Sequence, residues 1–288
     1  MKKRIYLVLI FTTFFISIVF AQKKSKAENE VNYLPYYQEA TKANKLVKEE
    51  QYAQAFLIYD ELYKEFDPII GLSAQDYINY IKSAELSNSC YSRFKVMKTL
   101  ISKLGFSNAW IDDFEILKTV YEKSGIDKKV YDVLRNEYVS SINLGLRNMV
   151  IQINKRDQES GRSYETDIMK KSLEERDSIN FTKLKYIFEK YGYPNASVIG
   201  NESLNKKRER LILSSVLRHV NDSLMVSYLL PKLKSFVVKG EFLPQLYLSI
   251  YESYTYRNKL VSEYRVSSKY TKEEVNKNRY SVGLPILD

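Results

Sequence analysis

The 288 residues contain a single histidine, His219, and a single cysteine, Cys90. That scarcity excludes a zinc centre assembled from several His and Cys ligands of one chain, and it excludes an internal disulfide. Glycine is sparse too, at nine residues. No G-x-x-x-x-G-K-[ST] or G-x-G-x-x-G loop occurs, so there is no glycine-rich cradle for phosphate. A Ser-His-Asp triad would have to use His219, and no G-x-S-x-G elbow is present. No D-x-[DN]-x-[DN]-G calcium loop is present either. The expectation is a protein with no metal and no cofactor, held together by packing alone.

After the first twenty residues no run is apolar enough to span a bilayer. The exception at the start has its own logic. Lys2, Lys3 and Arg4 precede an apolar stretch from Ile5 to Phe20, which ends at the small residue Ala21. The polar stretch Gln22-Lys23-Lys24-Ser25-Lys26 follows at once. This is the layout of a cleaved secretory signal, with cleavage near Ala21. The expectation is export to the periplasm or the cell exterior, with no stable membrane span afterwards.

Basic residues outnumber acidic ones by 45 to 35, a net charge of +10. Loss of the three basic residues of the signal leaves +7. Charges of both signs are mixed along every expected helix, which reads as a solvated surface and not as a nucleic-acid footprint. Tyrosine is abundant, with 25 copies. Most fall at helical core spacings.

What the chain does have is a 3.6-residue period. Residues 22–32 read as a flexible lead-in. Tyr36, Ala40, Ala43 and Val47 then share one helix face. Tyr52, Ala55, Phe56, Tyr59, Leu62, Tyr63 and Phe66 make a second stripe, stopped at Asp67-Pro68. Tyr77, Tyr80, Ile81 and Ala84 form a third. Cys90, Phe94, Met97, Ile101 and Leu104 form a fourth, which places Cys90 as a buried, inert thiol. Trp110, Phe114, Leu117 and Tyr121 form a fifth. Residues 127–153 read as one long connecting helix, with Val130, Leu134, Tyr138, Ile142, Leu146, Met149 and Ile153 on one face. Further on, Lys259 to Tyr270 allows an extended excursion, and Thr271 reads as a helix N-cap.

The first helix pair resembles a tetratricopeptide repeat, on Ala40, Ala43, Tyr52, Ala55, Tyr59 and the closing Asp67-Pro68. From about Leu144 the chain resembles an uncharacterised bacterial family, the domain of unknown function 6624. The matching pieces are Asp157-Gln158 with Arg162, then Tyr191-Gly192-Tyr193-Pro194, Val198-Ile199-Gly200, His219, Lys239-Gly240-Glu241, Arg257, and Val282-Gly283-Leu284-Pro285. This chain departs from the family's pattern in three places. The Asp157–Arg162 segment is one residue longer, an acid is missing before Arg257, and Ser262-Glu263-Tyr264-Arg265-Val266 is degraded. The resemblance implies a helical domain and supplies no reaction.

The expected fold is all-α, with tetratricopeptide-like hairpins over residues 33–126 packed, through the connecting helix 127–153, on a helical domain over 154–288. Asp157, Gln158, Arg162, His219 and Arg257 are the candidate polar site, with no catalytic role assigned. If they converge, the guanidiniums can fork onto an acidic group and His219 can serve as a general acid or base. If they only pin helices, they form a buried polar network. The functional expectation is a protein- or peptide-interaction module. The alternative is an enzyme, a degenerate enzyme or a polar-ligand binder at that site.

Overall fold

Two alanines set the geometry at the front of the molecule. Helix α1 (Leu34–Lys48) and helix α2 (Tyr52–Glu65) pack as a hairpin, with Ala43 and Ala55 both 0% exposed at the contact. Side chains of one methyl let the two backbones approach closely. Helix α3 (Gln75–Leu86) packs on both and buries Tyr77, Ile78, Tyr80, Ile81 and Ala84. Tyrosine rings fill the groove, with Tyr63 and Tyr77 meeting edge to face at 5.0 Å between centroids.

The computed structural model describes residues 31–69, 74–159, 166–201, 204, 209 and 211–287. The expected export signal, most of the expected lead-in, and Arg162 lie outside the described residues. The described chain is all-α, with no strand among the described residues. No helix among them is long and apolar enough to cross a membrane.

Helices α4 (Arg93–Ser102), α5 (Asn108–Asp112) and α6 (Glu115–Glu122) continue the front half. Here the structure corrects two expectations. Cys90 is exposed, in the turn before α4, because the helix begins only at Ser92, whose hydroxyl accepts from the Lys95 amide. The buried stripe of α4 is Val96, Met97, Leu100 and Ile101, and Phe94 faces outward. The fifth stripe is split between α5 and α6, since Asp113 caps one and Phe114 opens the next in extended conformation.

The long helix expected over 127–153 is also two. Helix α7 (Lys128–Ser141) ends at Ile142, which is extended at φ −77°, ψ 130°. Helix α8 (Leu144–Gln158) starts afresh, with the Asn143 side chain accepting from the Leu146 amide. The Asn143 amide itself donates to the Val198 carbonyl at 2.8 Å. A hydrophobic period of three to four residues runs through this break, because both helices present their apolar faces to the same core.

Helix α9 (Asp167–Tyr191) is the longest element among the described residues, and Gly192 ends it. Tyr193-Pro194 turns the chain into the short α10 (Ala196–Ile199). Helix α11 (Ser214–Arg218) is one turn long and is pinned by Leu213, Val216, Leu217 and Val220, all buried. Helix α12 (Asp222–Leu224) runs through a π-helical turn, Met225–Leu229, into α13 (Leu230–Val238). The Leu230 amide reaches back five residues to the Met225 carbonyl, and Pro231 has no N–H to offer. Helix α14 (Pro244–Arg257) follows. Residues 259–270, where an extended excursion was expected, run as turns and bends. Helix α15 (Lys272–Tyr280) carries the expected cap at Thr271, completed into a capping box by Glu274.

The front helices are tied to the back by α1. The Tyr33 amide donates to the Val238 carbonyl, and the Tyr37 hydroxyl lies between the carbonyls of Val237 and Phe242 at 3.0 and 3.2 Å. Residues Tyr33–Asp288 make one compact unit.

Candidate functional site: a polar cluster where three helices meet

The last turns of α8 place Asn154 and Asp157 three residues apart, and so on one face. Helix α9 does the same with Asp177 and Asn180. These polar residues sit where the core stripe would run, continuing it after Val150 and Ile153 on one helix and lying between Leu173 and Leu184 on the other. Helices α8, α9 and α11 pack on one another, and α11 ends in Ser215, Arg218 and His219.

Asp157 is fully buried, and its Oδ1 lies 2.8 Å from His219 Nδ1. Its Oδ2 accepts from the Gln158 amide at 2.6 Å. An ionised carboxylate only accepts, so the hydrogen bond places a proton on Nδ1 and leaves Nε2 on the far side of the ring, with a free lone pair whenever the ring is neutral. The His219 side chain is 26% exposed, against 0% for Asp157. The pair therefore has a buried anchor and a reachable tip. Asp177 joins it: one ligand atom from each of Asp157, Asp177 and His219 lies within 4.8 Å of the others.

On the three helices that carry this pair lie buried polar atoms with no hydrogen-bond partner among the described residues. They are Asn154 Oδ1, both side-chain atoms of Asn180, Ser215 Oγ, Arg218 Nε and Arg156 Nη1. Asn180 is 1% exposed and Asn154 3%. At the other end of α8 the buried Arg147 donates to Glu209 at 2.8 Å and to the Ile199 carbonyl at 2.6 Å, which pins one segment to another.

Of the five residues expected at the site, Asp157, Gln158 and His219 come together. Arg257 does not face the carboxylate. It pairs with Asp222 and donates to the Arg218 carbonyl at 2.8 Å, bracing the turn that carries His219 from the α14 side. Arg218 reaches the same helix, donating to Ser249 Oγ at 2.6 Å. Asp177, Asn180, Asn154 and Ser215 were missed. The available signal was polar residues at core spacing, as in Leu173, Asp177, Asn180 and Leu184.

A second feature lies in the front half. A cleft of about 200 Å³ is lined by Tyr36, Tyr37, Ala40 and Asn44 of α1, by Gln75 and Asp76 at the start of α3, and by Leu243 and Gln245 beside α14. Asp76 accepts from the Asn44 amide at 2.7 Å and from the Tyr36 hydroxyl at 3.4 Å. Asn44 Oδ1 in turn accepts from Tyr59 and Asn79, each at 2.6 Å. Burial pushes the Asp76 carboxyl up from its usual range, against the pull of those two hydrogen bonds. Burial likewise raises the hydroxyls of Tyr36, Tyr59 and Tyr63, which stay protonated donors.

No protein-family model, no curated protein and no solved structure matches this chain.

Proposed function

We propose that this chain is an exported helical protein that works at the Asp157–His219 cluster, where it takes up a small polar ligand and exchanges a proton with it through His219 Nε2. The observation that carries the reading is the set of buried polar atoms, without partners among the described residues, on the three helices that meet at the pair. A network that only pins helices is stabilising when every member is bonded. A buried polar group left unbonded costs about 1–3 kcal/mol. Such groups are retained where a ligand can bond to them. Asp157 would fix the ring tautomer and steady the imidazolium, while Nε2 takes and returns the proton. The ligand class is polar, with donors and acceptors to match the Asn180 amide. An anionic ligand is disfavoured by the two carboxylates, and Arg257 is already engaged.

Asp157, Gln158 and His219 are also residues on which the resemblance to the domain of unknown function 6624 rests. Export is supported by the run from Lys2 to Ala21. A secreted sample whose mature chain begins at Gln22 by mass spectrometry is the expected outcome for the signal.

The site is tested by thermal-shift screening of a library of polar metabolites. A ligand at about a hundred times its Kd adds about 2.7 kcal/mol and raises Tm by several degrees. The expected hits stabilise the wild type and leave His219→Ala and Asn180→Leu unmoved. Hits that stabilise all three equally would contradict the reading.

A second reading, a protein- or peptide-interaction module built on the front hairpins, is supported by the cleft between α1, α3 and α14.

A further inference from the structure

We infer that the cleft between α1, α3 and α14 is a binding site for a primary ammonium group carried on an alkyl arm, the arm of a lysine side chain, with Asp76 as its counter-ion. The inference rests on the second, peptide-binding reading and is independent of the His219 site.

Asp76 is a half-buried carboxylate with no cationic partner among the described residues. Both of its hydrogen-bond donors, the Asn44 amide and the Tyr36 hydroxyl, are neutral. Among the described residues no lysine or arginine lines the cleft. Burying a carboxylate without a counter-charge is costly, and neutral donors compensate only in part. An ammonium entering the cleft would supply the missing charge and a charge-assisted hydrogen bond.

The walls fit the rest of such a ligand. Tyr36, Tyr37, Ala40, Ile69 and Leu243 offer apolar surface for the methylene arm. Thr41 and the exposed Gln75 and Gln245 stand at the rim, where the group bearing the arm would lie. The floor is rigid. Asn44 is held by Tyr59 and Asn79, and Tyr37 by the backbone of α13 and the turn after it, so the carboxylate does not have to be organised on binding. A guanidinium is a poorer fit, since its planar fork calls for two acceptors side by side. Here Asp76 already directs one oxygen to Asn44 and the other to Tyr36.

The test is isothermal titration calorimetry on the full mature chain with three probes. They are an acetylated and amidated Gly-Lys-Gly peptide, the same peptide with norleucine for lysine, and 1,5-diaminopentane. The expected result is binding of the lysine peptide and loss of about tenfold or more in affinity for the norleucine peptide, the loss of one charge-assisted contact. Asp76→Asn is expected to weaken the lysine peptide to the same extent. Thr41→Trp, which blocks the rim and leaves the Asp76 network intact, is expected to abolish binding. Binding of the diamine alongside a silent lysine peptide would uphold the ammonium site and sink the peptide reading. Equal binding of the lysine and norleucine peptides, no response to Asp76→Asn, or no binding of either amine would overturn the inference.

Discussion

At His219 the chain has one imidazole, and the fold decides which of its nitrogens holds the proton. The 2.8 Å contact to a fully buried Asp157 assigns the proton to Nδ1. Because there is no other histidine, a long-range ¹H–¹⁵N spectrum of the mature chain reads this one ring without ambiguity. The expected pattern for the neutral ring is a protonated Nδ1 and an unprotonated Nε2. Asp157→Asn replaces an acceptor-only carboxylate by an amide that can turn an N–H toward Nδ1, and is expected to shift the ring toward the Nε2–H form. A wild-type ring already in the Nε2–H form would remove the proton-exchange reading. Asp157, Gln158 and His219 were legible as candidate residues from the order of the pieces that resemble the domain of unknown function 6624, and His219 also as the one histidine of the chain. Their distances were not, because 62 positions separate Asp157 from His219. Arg257 shows the limit most clearly. A guanidinium is equally able to bind a ligand or a neighbouring carboxylate, and residue type alone does not choose between them. Asp222 and the Arg218 carbonyl made that choice.

At the scale of elements, His219 sits at the end of α11, a helix of only five residues. A single turn has little stability of its own, so its position is set by what surrounds it. Leu213, Val216 and Leu217 fix it from the core side, and Arg257 and Ser249 fix it from α14. Arg257→Ala is therefore expected to cost about 1 kcal/mol, in line with a half-exposed pair plus one carbonyl hydrogen bond. Amide exchange over residues 216–219 is expected to speed up as the brace is lost. Unchanged exchange there would mean that the core contacts suffice. Helix existence was well marked by apolar period, and the Thr271 cap was readable from Thr-x-x-Glu. Helix breaks were not. The α7–α8 break at Ile142–Asn143 keeps the apolar period on both sides, and an asparagine N-cap followed by a single glycine inside the next helix is an easily missed stop. The start of α4 at Ser92 likewise moved Cys90 off the buried face and into solvent.

At the scale of the whole molecule, α1 links the front helices to the back, and two glycines make room for it. Gly240 and Gly283 both take positive φ, at +73° and +71°. A Cβ at Gly283 would lie 2.4 Å from the Tyr37 ring, and one at Gly240 2.8 Å from the Tyr33 ring. Gly283→Ala thus adds left-handed strain, about 1–2 kcal/mol, to a steric conflict with a ring whose hydroxyl is already bonded. The expected loss in a urea melt exceeds 1 kcal/mol, with the front helices exchanging amide hydrogens faster than before. A neutral Gly283→Ala would show that α1 is not anchored there. The sequence marks these glycines only as turn residues; the rings they admit come from 200 or more residues away, as the Tyr37–Val237 bond illustrates.

The central claim is that the cluster around Asp157 and His219 is kept polar for a ligand, and not to hold α8, α9 and α11 together. Asn180 separates the two accounts, since it is buried at 1% exposure with neither side-chain atom bonded. Leucine has nearly its shape and no polar atoms to desolvate. The stability of Asn180→Leu in a urea melt is the direct measurement. The account predicts a variant as stable as the wild type or more stable by about 1–3 kcal/mol, the penalty of the unbonded amide removed. A variant destabilised by more than about 1 kcal/mol would mean that Asn180 is bonded and structural, and would contradict it.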